Sequence, residues 1–213
     1  MARLRFTAVF LMIFQAPMFA QAPDWTTVIK PAAKQVMRLE MLREGASEPG
    51  VCTVVVINEA NGFGLTAAHC VRKPQTEGIS LTANGRHAEV VKVNELLDLA
   101  VVRVSLKGEK AIALADTTPE PGTPIAIVGY AFGDPDLLYQ FGYVSQTKNA
   151  ETKLVMLNAD VIGGDSGGAA INAHGKLVAI NSRIYIWHSS GLGGSAPVEA
   201  IKEFAEPYLE KPK

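Results

Sequence analysis

From Val51 onward the chain runs as one short apolar segment after another, each closed by turn residues, a rhythm that restricts it to an all-β fold. Residues 51–57 form a continuous β-branched run, expected of a strand buried on both faces. Residues 81–83 and 86–93 flank Asn84-Gly85, the pair best suited to the positive φ angles of a tight hairpin turn. Residues 99–104, 125–129, 139–147, 153–159 and 177–184 continue the series, with a second hairpin turning at His174-Gly175. Residues 36–42 read as a first strand, although residues 30–44 could also be read as a short helix. A turn-rich acidic stretch at 116–123 divides the β region, implying two six-stranded barrels, the first within residues 23–115 and the second within 116–213. Val198, Ile201, Phe204, Ala205 and Leu209 recur at a helical period, so the second unit closes on a packed helix.

The first twenty-two residues read as an address rather than part of the fold. Arg3 and Arg5 supply a positive start, residues 6–14 an apolar run, and Ala20-Gln21-Ala22 the small residues of a cleavage point. The run is shorter than the roughly 20 residues needed to span a bilayer, so the expectation is a secreted or periplasmic protein with no stable membrane insertion. Apolar residues make up 48% of the chain and charged residues 19%, a globular balance. A formal charge of -1 without a basic run argues against a nucleic-acid partner. Export and an even count of two cysteines, Cys52 and Cys70, favour a disulfide over two buried thiols. Its closure would stabilise the fold by about 3 kcal/mol.

Three segments carry the chemistry. Gly163-Gly164-Asp165-Ser166-Gly167-Gly168 has the glycines needed for a turn that exposes a serine oxygen and points backbone N–H groups at an oxyanion. The Gly164-Asp165-Ser166 backbone would form that oxyanion hole, through the N–H groups of Gly164 and Ser166. A serine hydroxyl is a weak nucleophile until an imidazole takes its proton, and His69 in Leu65-Thr66-Ala67-Ala68-His69-Cys70 follows a strand end of small residues. Asp98 is the one aspartate between His69 and Ser166 that heads an apolar strand, a placement from which a buried carboxylate can fix an imidazole tautomer.

Taken together, and in the order His, Asp, Ser, these segments resemble the trypsin/chymotrypsin superfamily of serine peptidases over residues 51–209. The resemblance implies two antiparallel six-stranded Greek-key barrels, a catalytic set of His69, Asp98 and Ser166, and a Cys52–Cys70 bridge beside the base. It also implies that Ser182 supports the aspartate, and that the strand through Arg183 and Ile184 pairs with substrate backbone. Residues 98–104, 122–133 with Val144-Ser145, and 191–197 followed by a helix are similar to the bacterial HtrA-like branch, here without the PDZ domain many members carry. Asp165 and Cys70 depart from that branch, whose members usually have Asn before the serine and lack this cysteine.

The implied activity is hydrolysis of protein or peptide bonds through an acyl-enzyme on Ser166. The alternative is a catalytically silent homologue that binds peptides in the same groove. In zymogen-type relatives the acid before the serine pairs with a newly cut N-terminus. No Ile-Val-Gly-Gly-like start lies upstream of Cys52, so Asp165 is expected to be satisfied by side chains or backbone N–H groups. Asp160 matches a pocket acid that selects Arg or Lys, whereas Ile184 matches a pocket-mouth position where bulk selects small apolar residues. Tyr185 is expected in the core, and Trp187 could line a substrate subsite. Four scattered histidines and the absence of a Gly-x-x-x-x-Gly-Lys motif leave no cofactor or metal expected.

Overall fold

The computed structural model describes residues 22–77, 79–148, 153–159, 162–185 and 192–209. Twelve strands form two closed barrels, as the pattern of runs and turns implies. The first has the order β1-β2-β3-β6-β5-β4, built from β1 (Val36–Leu42), β2 (Gly50–Asn58), β3 (Phe63–Thr66), β4 (Ser80–Ala83), β5 (Arg86–Asn94) and β6 (Leu99–Val104). The second has the order β10-β11-β12-β9-β8-β7, built from β7 (Pro124–Gly129), β8 (Leu138–Gln146), β9 (Val155–Asn158), β10 (Ala169–Asn172), β11 (Leu177–Tyr185) and β12 (Leu192–Pro197). All the strand pairings are antiparallel. The choice left open at residues 36–42 resolves as a strand, because it pairs on one side with β2 and on the other with β4. A helix does precede it, α1 (Trp25–Ala32), started by the Asp24 carboxylate accepting from Thr26 N.

Burial explains the continuous β-branched runs. Along β2, Val54 and Val56 point into the first barrel, while Val55 and Ile57 point out of it. The outward set meets Ala126, Val128, Ala169, Ile171 and Ile180 of the second barrel in a shared core. Strand β7 alternates the same way, with Ile125 and Ile127 inside its own barrel and Ala126 and Val128 at the seam. Strands at the seam therefore have no polar face, and the crevice between the barrels is walled by their ends and loops.

The hairpin at Asn84-Gly85 has φ of 47° and 72°, the positive pair its sequence requires. The connection between the barrels joins the second one early, since Leu114 already bridges Leu177. Helix α3 (Val198–Ala205) buries Val198, Ile201, Phe204 and Ala205, and gives way at Pro207 to a 3-10 turn, Glu206–Tyr208. It returns to the first barrel, where Lys92 Nζ donates to Phe204 O (2.8 Å) and the Tyr208 ring meets Phe63 edge-on. No helix among the described residues is long and apolar enough to cross a membrane.

Candidate active site

The site is assembled from loops at the seam. Helix α2 (Ala68–Glu77) starts directly after β3, so His69 lies in its first turn, where backbone N–H groups lack helical partners. Asp98 supplies those partners. Its carbonyl accepts from Ala68 N (3.1 Å) and its Oδ1 from His69 N (2.9 Å). A φ of 51° at Asp98, just before β6, turns both groups toward the helix. The other carboxylate oxygen, Oδ2, lies 2.8 Å from His69 Nδ1 and accepts from Ser182 Oγ at 2.7 Å. Asp98 is 4% exposed, whereas the His69 side chain is 39% exposed, so the acid is sealed in and the ring faces the crevice. Burial pushes the Asp98 carboxyl up, but hydrogen bonds from His69 and Ser182, with the charge of His69, hold it below its ordinary value.

Ser182 reaches the acid because β11 bulges there. Asn181 pairs with Ser195 and Arg183 with Gly194, which leaves Ser182 without an opposite number on β12. A bulge of this kind re-aims one side chain, here a buried hydroxyl toward Asp98. Arg183 and Ile184 follow in the same strand, opposite Gly194 and Gly193. Their side chains, and the whole of Asp160, Trp187 and His188, lie outside the described residues.

Ser166 sits between β9 and β10, in a loop whose peptide units are individually tied down. Phe132 N donates to Gly163 O (2.7 Å) and Gly168 N to Asp165 O (2.8 Å). In a trans peptide the N–H lies opposite its carbonyl, so these bonds turn the N–H groups of Gly164 and Ser166 the other way. No backbone carbonyl among the described residues accepts from either. Asp165 N, between them, is already donated to Ile162 O (3.0 Å), so of the three residues of the expected oxyanion hole it is not an available donor. Ser166 is half-buried, and its carbonyl lies 4.0 Å from Sγ of Cys70, the residue after His69. Among the described residues no hydrogen bond joins Ser166 Oγ to the ring; in unliganded sites that bond is often long and tightens with substrate.

The Asp165 carboxylate is fully buried. Its Oδ2 accepts from Gln140 Nε2 (2.8 Å) and Ile162 N (3.2 Å), while Oδ1 finds no partner among the described residues. A side chain and a backbone N–H thus hold one oxygen of this acid, the kinds of partner expected for it. Gln140 carries no local sequence signal; only the register of β8 brings it there. Burial pushes the Asp165 carboxyl up, outweighing these two hydrogen bonds. A carboxyl raised on folding costs stability as it ionises, so its contribution worsens as pH climbs from the ordinary value of 3.8 through the raised one. Asp165→Asn keeps an acceptor for Gln140 and Ile162 without the charge. In urea melts, the stability of the variant relative to wild type is expected to increase between about pH 4 and about pH 7. A difference that stays flat or shrinks over that range would refute this account of Asp165.

Cys52 and Cys70 form a disulfide that ties β2 to the His69 helix. With His69 they are the one cluster of metal-type side chains among the described residues, but both sulfurs are committed to each other and offer no thiolate. The constellation suits nucleophilic acyl transfer: an exposed imidazole backed by a buried carboxylate, a serine on a constrained loop, and two N–H groups turned outward beside it.

The chain is similar to known proteins. The family described as the trypsin-like peptidase domain matches residues 52–180. The chain is 24% identical over 201 residues to serine protease HTRA4 of Mus musculus, covering 86% of this chain and 41% of that protein. It is 28% identical over 170 residues to mitochondrial serine protease HTRA2 of Drosophila erecta, covering 74% and 39%. It thus spans about two fifths of the length of these curated relatives. The solved structure of the HtrA-type protease AlgW with tripeptide superimposes with a TM-score of 0.72 at 25% identity, over 88% of this chain and 64% of that one. The serine endoprotease from Yersinia pestis shares the fold, with a TM-score of 0.74 at 21% identity over 88% and 67%.

Proposed function

The chain belongs to the trypsin-like peptidase domain family, and from that footing we propose that it is a serine endopeptidase acting through an acyl-enzyme on Ser166. The observation that carries this reading is the buried Asp98 carboxylate, which engages His69 Nδ1 and His69 N while the ring stays open to the crevice. A carboxylate on Nδ1–H leaves Nε2 unprotonated, which is the tautomer a general base needs. His69 Nε2 takes the proton of Ser166 Oγ as that oxygen attacks the peptide carbonyl carbon. The carbonyl π electrons move onto oxygen, and the oxyanion is met by Gly164 N–H and Ser166 N–H. The imidazolium, stabilised by Asp98, then gives its proton to the departing amine nitrogen as the C–N bond breaks. Water repeats the sequence on the ester, returning the proton to Ser166 Oγ.

Protein or peptide substrates would lie extended along β11, with Ser182, Arg183 and Ile184 opposite their backbone. The relative AlgW has a tripeptide in its solved structure, which supports a peptide ligand here. Two residues pull the specificity in opposite directions, Asp160 toward Arg or Lys and Ile184 toward small apolar side chains. The export address in the first twenty-two residues and the Cys52–Cys70 bridge support action in the periplasm or outside the cell, where disulfides persist.

Peptide-library cleavage and labelling with a fluorophosphonate test the assignment, with Ser166→Ala as control. Wild type is expected to cleave and to take one label per chain, and the variant to do neither. Absence of both reactions in wild type would leave a silent peptide-binding homologue as the better reading.

A further inference from the structure

We propose that Thr53 is a positioning residue that sets the two oxyanion-facing N–H groups, a role that rests on the peptidase reading above and adds a residue to it. Thr53 is fully buried in β2, one place after the cysteine that is bridged to the His69 helix. Every polar atom it owns is used across the seam or toward it. Its N–H donates to Ser166 O (2.8 Å), and its carbonyl accepts from Thr66 Oγ1 (2.7 Å). Its hydroxyl donates to Gly164 O (3.1 Å) and accepts from Tyr130 N (3.0 Å). One residue therefore holds the carbonyls on both sides of Asp165, and with them the two residues whose N–H groups face outward.

The hydroxyl is the part of this device that sequence can change without touching the backbone. The Gly164–Asp165 peptide is held at both ends, its carbonyl by Thr53 Oγ1 and its N–H by Ile162 O. The preceding peptide is held by Phe132 N, and the segment that carries Phe132 is held in turn through Tyr130 N on the same hydroxyl. Removing that oxygen leaves a part-buried carbonyl and a part-buried N–H unpaired together, and the cheapest repair is for the 163–165 backbone to turn toward another partner. Such a turn rotates Gly164 N–H away from the oxyanion position. The Asp98–His69 pair is not part of this network and keeps its geometry. Thr53 thus acts on one half of the catalytic constellation and leaves the base alone.

Thr53→Val removes the hydroxyl at nearly constant shape, and Thr53→Ser restores it without the methyl group. In Thr53→Val, kcat on a peptide substrate is expected to fall about 10- to 100-fold, as displacements of this size do, with KM little changed. The shape of the kcat/KM pH profile is expected to stay as in wild type, because the Asp98–His69 hydrogen bond is untouched. Thr53→Ser is expected to return kcat to near the wild-type value. Should the valine variant fail to fold, Thr53→Ala serves in its place, judged against the same serine rescue. A Val or Ala variant with wild-type kcat, or a serine variant as impaired as they are, would overturn the proposal. If wild type itself neither cleaves nor labels, the peptidase reading falls separately. Crystal structures of wild type and Thr53→Val then decide on Thr53: superimposable 163–166 backbones overturn its positioning role, and a turned Gly164 peptide supports it.

Discussion

Replacing Asp98 with asparagine is expected to lower kcat by about 10⁴-fold, with KM within a few-fold of wild type. The cause is a tautomer. Asp98 Oδ2 now receives hydrogen bonds from His69 Nδ1 and Ser182 Oγ, and Oδ1 receives the His69 N–H. Asparagine has one oxygen, and the His69 N–H retains it because, in the first turn of α2, that N–H has no helical partner. The NH₂ group then points at Nδ1, which must become the acceptor, so the proton moves to Nε2. A ring protonated on Nε2 cannot take a proton from Ser166 Oγ. The change is isosteric, and the barrels are expected to stay intact by circular dichroism. Stability at acid pH provides a second reading. A carboxyl held below its ordinary value stabilises the fold above that value, and the contribution disappears as pH falls through the lowered one. Asp98→Asn should therefore lose stability at neutral pH and approach wild type in acid. A kcat reduced less than tenfold would mean that Asp98 does not set the tautomer.

Gly164→Ala is expected to reduce kcat by about 10²- to 10³-fold, the effect of losing one oxyanion donor, and also to lower Tm. Gly164 has a φ of 103°, a region that side chains rarely enter, so alanine carries about 1–3 kcal/mol of backbone strain. Space is the larger obstacle. A Cβ at this position would overlap the carbonyl oxygen of Tyr130 and come within 3.2 Å of Ala131 Cα. Neither is the end of a flexible side chain; both belong to backbone that Thr53 and Phe132 tie to this loop. Relief requires the Gly163–Gly164 peptide to move, and the Gly164 N–H proposed to meet the oxyanion moves with it. The measurement is kcat on a peptide substrate together with thermal melts. Retention of kcat within threefold would show that this N–H contributes nothing to the reaction, whatever happens to Tm.

Much of this molecule was legible residue by residue. Residues 99–104 and 177–184 read as strands because β-branched and apolar residues run there without a helical period, and they are β6 and β11. The first barrel's hairpin was legible in Asn84-Gly85, whose backbone angles follow from those two residue types. Other elements had no such signal. Strand β12 is Leu-Gly-Gly-Ser-Ala-Pro, a composition that propensity assigns to a loop; it is a strand because β11 and β9 pair with it on either side. Strand β10, four residues long and directly after a glycine-rich turn, is extended for the same reason, between β11 and β7.

The same division runs through the site. The residue types and order of His69, Asp98 and Ser166 could be read from the chain, because each stands in a local context that its chemistry demands. Of their support, Ser182 beside Asp98 followed from the family resemblance, whereas Gln140 and Thr53 carried no signal. Gln140 reaches Asp165 across 25 positions, Ser182 reaches Asp98 across 84, and Thr53 reaches Gly164 across 111. Hydrogen bonds of that span depend on barrel closure and strand register, which no window of sequence contains. The sequence by itself determined the all-β class, the two barrels and the chemical groups at hand. Only the tertiary structure decided that Asp165 is held by Gln140 and by Ile162 N–H. It also decided that Asp165 N–H is spent on Ile162, and that a threonine of the first barrel holds the nucleophile loop of the second. The physical reason is burial: these polar groups lie away from water, so each pairs with what barrel closure brings near, Gln140 and Ile162 within the second barrel and Thr53 from the first.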